Sequence, residues 1–278
     1  MEYIAITFVT ENDQSREILF AILDTEGFEG ITENDENIIA YIPEDEFSYD
    51  ELQNTLAAFN VDTEVSIEKK ETIRQKNWNE EWEKNFDPII VNEHCVIRAP
   101  FHQAFNEYKY IITIEPKMSF GTGHHETTRL MMNQMFNIDF SKAKVLDMGC
   151  GTGILAILAA LFGAPDVTAI DYDSWSYENT LENIQRNNVG KIKVLHGGKE
   201  VIPNEKFDII LANINRNILI DQIPDYKERM HKNSILLLSG ILVDDFEIMD
   251  NTLLKHNLLL KQHENLHKWG ILKVQLSS

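Results

Sequence analysis

The stretch "VLDMGCGTGILAILAALFGAPDVTAIDYD", residues 145 to 173, decides the fold. A short apolar run ends in Asp147, a glycine-rich turn follows, then an apolar helix, then a second apolar run ending in Asp171. Strand, turn, helix and strand in that order outline a βαβ unit. The turn reads Gly149-Cys150-Gly151-Thr152-Gly153. A dinucleotide fingerprint, G-x-G-x-x-G, needs its third glycine at position 154. Position 154 is Ile, so the spacing is G-x-G-x-G and the reading leans away from a pyrophosphate. Glycines this close, Gly149 and Gly151 among them, let a backbone turn sharply and approach a ligand. Asp171 ends the next strand, where a carboxylate accepts hydrogen bonds from both hydroxyls of a ribose.

The alternation continues outward. Strands are expected at 144–148, 166–171, 191–196, 207–212 and 234–240, with helices at 154–163, 174–187 and 215–230 between them. Such alternation predicts a parallel sheet covered on both faces. The tail breaks the pattern: "NLLLKQHEN" and "WGILKVQL" read as two strands joined by a short turn, an antiparallel finish. Upstream, short strands are expected around 94–99 and 110–115, then a loop leading into a helix that ends near 137.

The first segment has a different character. Through residue 66 it carries seventeen Asp and Glu against one cation, Arg16, within a chain of net charge −20. "YIAITFV", a helix at 13–26, "FEGITEN", "NIIAYIP", a helix at 47–58 and "DTEVSIE" give the order β-α-β-β-α-β, which fits a ferredoxin-like sandwich. Trp78, Trp82 and Phe86 then fall at four-residue intervals and predict a helix with one aromatic face. The expected division is a ferredoxin-like domain over 1–68, a linker helix over 69–86 and an α/β domain over 87–278.

Composition narrows the partners. Strong net acidity disfavours a nucleic-acid groove, which needs clustered Lys and Arg, and suits a basic partner. Two cysteines, Cys95 and Cys150, imply neither a disulfide framework nor a Cys-rich zinc site, so a reducing cytoplasm is expected. No basic leader or long apolar run opens the chain, and no membrane partner is expected. "HENLH", His263 to His267, matches the zinc motif H-E-x-x-H only formally. It straddles an expected strand turn, so the two imidazoles would not converge, and no metal is expected.

The glycine turn, the acidic strand end and the antiparallel hairpin together resemble the Rossmann-like, class I S-adenosylmethionine-dependent methyltransferases. In that fold an acid such as Asp147 commonly stands near the methionine end of the cofactor. Two further blocks sharpen the likeness: "SFGTGHHETTRL" at 119–130 and "FDIILANINRNIL" at 207–219, with "LSGIL" at 238–242. With these the chain resembles the methyltransferases of ribosomal protein eleven of the large subunit. The motifs are specific from about 118 to 242 and weak before 75. The resemblance implies a substrate-recognition domain, a linker helix and a catalytic domain. It also implies S-adenosylmethionine as cofactor and methylation of lysine side chains and the N-terminal amine of a basic ribosomal protein. It puts cofactor contacts on Thr128, Gly149, Asp171 and Asn213. Asn213, at the carboxyl edge of the sheet, is the catalytic candidate, its side-chain oxygen accepting hydrogens of the substrate amine; it also suits capping of the following helix. Amino-group methyltransferases often follow this Asn with Pro-Pro-Tyr, whereas this chain reads Asn213-Ile214-Asn215. Many members of the family have Pro where this chain has Glu126. His124 and His125 adjoin the cofactor loop, although a lone loop histidine is more often structural. Competing readings are a methyltransferase of RNA or a small amine, and a non-catalytic ribosome-assembly protein.

Overall fold

The computed structural model describes residues 2–10, 12–33, 37–61, 64–73, 86–117 and 120–277. The chain divides into two compact units, Met1–Asn85 and Phe86–Ser278.

The first unit holds β1 (Tyr3–Val9), α1 (Asp13–Thr25), β2 (Gly30–Glu33), β3 (Ile38–Pro43), α2 (Tyr49–Ala58) and β4 (Ser66–Ile73). Its sheet has the order β2-β3-β1-β4, with antiparallel pairing throughout. Alternate strand residues Ile4, Ile6, Phe8, Ile38, Ala40 and Ile42 form one apolar face. Leu19, Ile22 and Leu23 of α1 and Leu52 and Leu56 of α2 cover it. Each fully buried Leu or Ile here contributes roughly 1.5–3 kcal/mol. Both helices start on side-chain caps: Asn12 accepts from the Gln14 and Ser15 N–H groups, and Ser48 from that of Glu51. This is the ferredoxin-like sandwich expected from the element order.

One expectation is corrected. The linker helix was to begin at residue 69, yet 69–73 belong to β4, where Lys69, Lys70, Glu71 and Thr72 pair with Thr7, Ile6, Ala5 and Ile4 of β1. β4 is an edge strand, and charged side chains on an edge discourage pairing with another chain. The charges that suggest a solvated helix are here edge-strand charges. Residues 74–85 of the expected helix, with Trp78 and Trp82, lie outside the described residues, and Phe86 is not helical.

The second unit begins with a three-stranded sheet of β5 (Ile89–Asn92), β6 (Cys95–Arg98) and β7 (Tyr110–Thr113). The loop and helix α3 (Glu126–Met135) follow. The main sheet comprises β8 (Lys144–Met148), β9 (Asp166–Asp171), β10 (Ile192–His196), β11 (Phe207–Asn213), β12 (Met230–Leu242), β13 (Leu258–Leu266) and β14 (Trp269–Leu276). The helices between them are α4 (Ile154–Leu161), α5 (Ser174–Arg186), α6 (Arg216–Glu228) and α7 (Phe246–Lys255). The order is β10-β9-β8-β11-β12-β14-β13. The first five strands run parallel, and β14 is antiparallel to both its neighbours. Successive residues of one strand serve opposite cores. Val145 packs with α3 and α4, whereas Leu146 and Met148 pack with α6 and α7. Two covered faces explain the unbroken apolar runs that marked these strands.

Two elements were not expected: β5, and α7, whose Met249 and Leu253 are buried one helical turn apart. Strand order reverses between β8 and β11. In open α/β sheets that point leaves a crevice beyond the carboxyl ends of the strands. Among the described residues, no helix is long and apolar enough to cross a membrane.

Candidate active site

The crevice is a cavity of about 630 Å³ walled by strand ends and by three segments distant in sequence. Gly149, Gly151, Asp171 and Asn213, all expected from the sequence, line it. Phe120, His125, Thr127, Ile218, Gln222 and Trp269 join them.

The glycines act differently from the simplest reading. Gly149 and Gly151 have φ of 71° and 57°, left-handed values that favour glycine. A Cβ on Gly149 would overlap the Ile214 side chain, and one on Gly151 would overlap the Phe120 carbonyl oxygen. Both positions therefore admit other parts of the protein as well as lining the cavity. The loop of residues 120–125 is fastened to the turn there: the Thr152 N–H donates to Phe120 O at 3.0 Å, and Thr152 Oγ1 donates to Gly121 O at 2.6 Å.

Asp171 holds the turn from the other side. Its Oδ2 accepts from the Gly151 N–H at 2.7 Å and its Oδ1 from the Asp173 N–H at 3.0 Å. Each carboxylate oxygen keeps a further lone pair, so two acceptor sites remain for a ligand in the cavity. Asp147 is buried, with 1% exposure, and does not line the cavity. Its Oδ2 accepts from the Ala156 N–H at 3.0 Å, and its Oδ1 has no partner. Burial pushes its pKa up to about 7.

Asn213 ends β11 and lines the cavity. Its Nδ2 donates over a long 3.5 Å to Thr128 Oγ1, and its Oδ1 is a buried acceptor without a partner. Thr128 is fully buried and does not line the cavity; it stands behind Asn213. Its neighbour Thr127 reaches the wall instead. The cap of α6 is Asn215, whose side chain accepts from the Ile218 N–H, so Asn213 is free of the capping role considered for it.

The two loop histidines part company. His125 caps α3 through Nδ1, which accepts from the Thr127 N–H, and its ring lies 4.7 Å from Trp269 and 5.1 Å from Phe120. His124 does not line the cavity; it packs 4.5 Å from the Phe86 ring, and burial holds its pKa below the usual range. Glu126 opens α3 and meets His267 of the β13–β14 turn at 3.3 Å. A backbone N–H and then His267 hold its carboxyl below the usual range. His263 lies within β13 while His267 has φ 51° in the turn, so the H-E-x-x-H match spans a strand and a turn.

Several wall residues escaped the sequence reading. Trp269 arrives through antiparallel pairing with Leu242, and Ile218 and Gln222 through the packing of α6. No local motif marks them. The block "SFGTGHHETTRL" did place His125 beside the cofactor loop.

A family model described as ribosomal protein L11 methyltransferase matches residues 3–277. The chain belongs to the ribosomal protein L11 methyltransferase family. Its relative from Bacteroides fragilis is 41% identical, with 99% of this chain and all of the relative covered. That from Bacteroides thetaiotaomicron is 39% identical over 98% of this chain and 99% of the relative. The crystal structure of ribosomal protein L11 methylase from Lactobacillus delbrueckii subsp. bulgaricus superposes with a TM-score of 0.65 at 27% identity, covering 69% of this chain and all of that one. Membership of the L11 methyltransferase family makes the chain a methyltransferase enzyme with a Rossmann-like catalytic fold. It also suits the cavity: a largely apolar enclosure with a few fixed polar groups is the usual form of a small-molecule cofactor site. The unpartnered Asn213 Oδ1 and the spare acceptor sites of Asp171 fit an adenosyl sulfonium compound better than a pyrophosphate, which both would repel.

Proposed function

We propose that the chain transfers methyl groups from S-adenosylmethionine to lysine side chains and the N-terminal amine of large-subunit ribosomal protein eleven. The observation that carries the reading is Asn213, which lines the same cavity as Asp171 and has a side-chain acceptor oxygen that no protein group satisfies. When bound, the cofactor supplies an electrophilic methyl on a sulfonium, a leaving group that needs no acid. Asp171 would accept the ribose hydroxyls, and the glycine turn would hold the methionine part. Asn213 accepts a hydrogen of the attacking amine and so aims its lone pair. Thr128 positions that carboxamide from behind.

The amine must be neutral to attack. A lysine of pKa near 10.4 is almost wholly protonated at pH 7, and neutralising it costs roughly 4–5 kcal/mol. Phe120, Ile218 and Trp269 make the wall apolar, which disfavours the ammonium and lowers that cost. Enclosure aligns amine and methyl and excludes water. The proton released as nitrogen is methylated passes to solvent.

The N-terminal unit is the proposed recognition domain. Seventeen acidic residues in its first 66 positions suit a basic ribosomal protein and count against RNA as the substrate. The reading is of a cytoplasmic enzyme, supported by two cysteines that are both unpaired and buried. Incubation with methyl-labelled cofactor, separated ribosomal proteins and ribosomal RNA tests it. Label should enter protein eleven of the large subunit; label in RNA, or in no ribosomal component, would overturn the proposal.

A further inference from the structure

Gln222 has no place in the mechanism above, yet it is a polar side chain on the cavity wall with only 7% exposure. Burying a carboxamide is costly unless its hydrogen bonds are met. One side is met: Oε1 accepts from the hydroxyl of Tyr226, one helical turn further along α6. Tyr226 is fully enclosed, and burial raises its pKa well above the tyrosine range, so the phenol remains a donor. A permanent donor on Oε1 fixes the orientation of the amide. Nε2 therefore faces away from Tyr226, and among the described residues it makes no hydrogen bond. An N–H donor is thus fixed at the cavity wall and lacks an acceptor.

Its position in the cavity indicates what it meets. The turn after β10 places Gly198 on the wall near Gln222. Lys199 of that turn pairs with Asp221 at 2.7 Å and Asp225 at 3.7 Å, which ties α6 to the end of β10. β10 lies beside β9 on the outer side, with His196 opposite Asp171. A ribose on Asp171, with its methionine arm toward the glycine turn and Asn213, sends its base toward β10.

We infer that Gln222 is a specificity-determining residue that reads the base of the cofactor, its Nε2–H donating to N1 of adenine. This rests on the methyltransferase reading and deepens it. Adenine presents an acceptor at N1. The deaminated base, hypoxanthine, presents N1–H there, so two donors would face one another. A site built around a fixed donor rejects a ligand that leaves the donor unpaired.

Calorimetric binding of S-adenosylhomocysteine and S-inosylhomocysteine to the full chain tests the inference. The unaltered protein should bind the adenosyl compound about tenfold or more tightly than the inosyl one. Gln222→Leu keeps the volume and removes the donor; it should weaken the adenosyl compound by up to about tenfold and bring the two affinities together. Tyr226→Phe leaves the wall unchanged but frees the amide to rotate, and should lose part of the discrimination. Equal weakening of both ligands, or undiminished discrimination in Gln222→Leu, would overturn the inference while leaving the cofactor reading intact. Failure of the unaltered protein to bind S-adenosylhomocysteine would overturn both.

Discussion

At the scale of single residues, two carboxylates on adjacent strand ends have opposite tasks because of their surroundings. Asp171 borders the cavity and is already held by two backbone N–H groups. Asp171→Ala should weaken S-adenosylhomocysteine by tenfold or more, since two charge-assisted hydrogen bonds are worth roughly 2–4 kcal/mol. Titration calorimetry reads this, and unchanged affinity would mean that the ribose sits elsewhere. Asp147 is enclosed, with one backbone donor and a pKa pushed up to about 7. Its ordinary value is near 3.9, so the folded protein disfavours its ionised form. The sign follows: below about pH 4 the group is neutral in both states and carries no penalty. Between about 4 and 7 the unfolded chain releases its proton first, and stability falls as pH rises. Asp147→Asn removes this penalty. Melting curves of the ligand-free proteins should show the variant gaining on the parent between pH 5 and 8, by roughly 2–4 kcal/mol. A difference independent of pH would contradict the burial argument.

At the scale of elements, what was legible followed one rule: local patterns were read and tertiary arrivals were not. The strand–turn–helix around residues 145–171 carries its glycines, its acid and its apolar helix in one contiguous stretch, so Gly149, Gly151 and Asp171 stand out in the sequence, and all three line the cavity. Asn213 was legible as the end of a buried strand. On α3 Thr127 lines the cavity, while Thr128 accepts from the Asn213 side chain. Trp269 and Gln222 were not legible, since strand pairing and helix packing bring them in from afar. Helix α7 carries only a weak signal in Met249 and Leu253, four residues apart, and β5 is only four residues long. The glycine turn also supports the loop across it. Gly151→Ala would set a methyl against the Phe120 carbonyl and impose a left-handed φ on alanine. A loss of roughly 1–3 kcal/mol is expected in denaturant unfolding. An unaffected midpoint would show that the loop does not rest on the turn as described.

At the scale of the whole molecule, charge and chemistry are separated along the chain. The proposed cofactor residues all lie after residue 119, while the first 66 residues carry sixteen of the twenty net negative charges, seventeen acids less Arg16. Exposed charges act at long range and are screened by salt. Binding of the ribosomal protein should therefore weaken as salt rises from low to physiological strength, chiefly through a slower association rate, while S-adenosylhomocysteine binding changes little. Stopped-flow association with the two ligands separates these effects; equal salt dependence would deny the acidic unit its recognition role.

The central claim is that this cavity methylates amines of one ribosomal protein, with Asn213 aiming the amine. It is tested most directly by intact-mass and peptide mass spectrometry of large-subunit ribosomal protein eleven after incubation with S-adenosylmethionine and either the parent protein or Asn213→Ala. The account predicts whole methyl additions on lysines and the N-terminal amine with the parent. With the variant it predicts additions slowed by a hundredfold or so, on the order of one lost transition-state hydrogen bond, although that variant still binds S-adenosylhomocysteine. An unmodified substrate with the parent protein, or full methylation by Asn213→Ala, would contradict it.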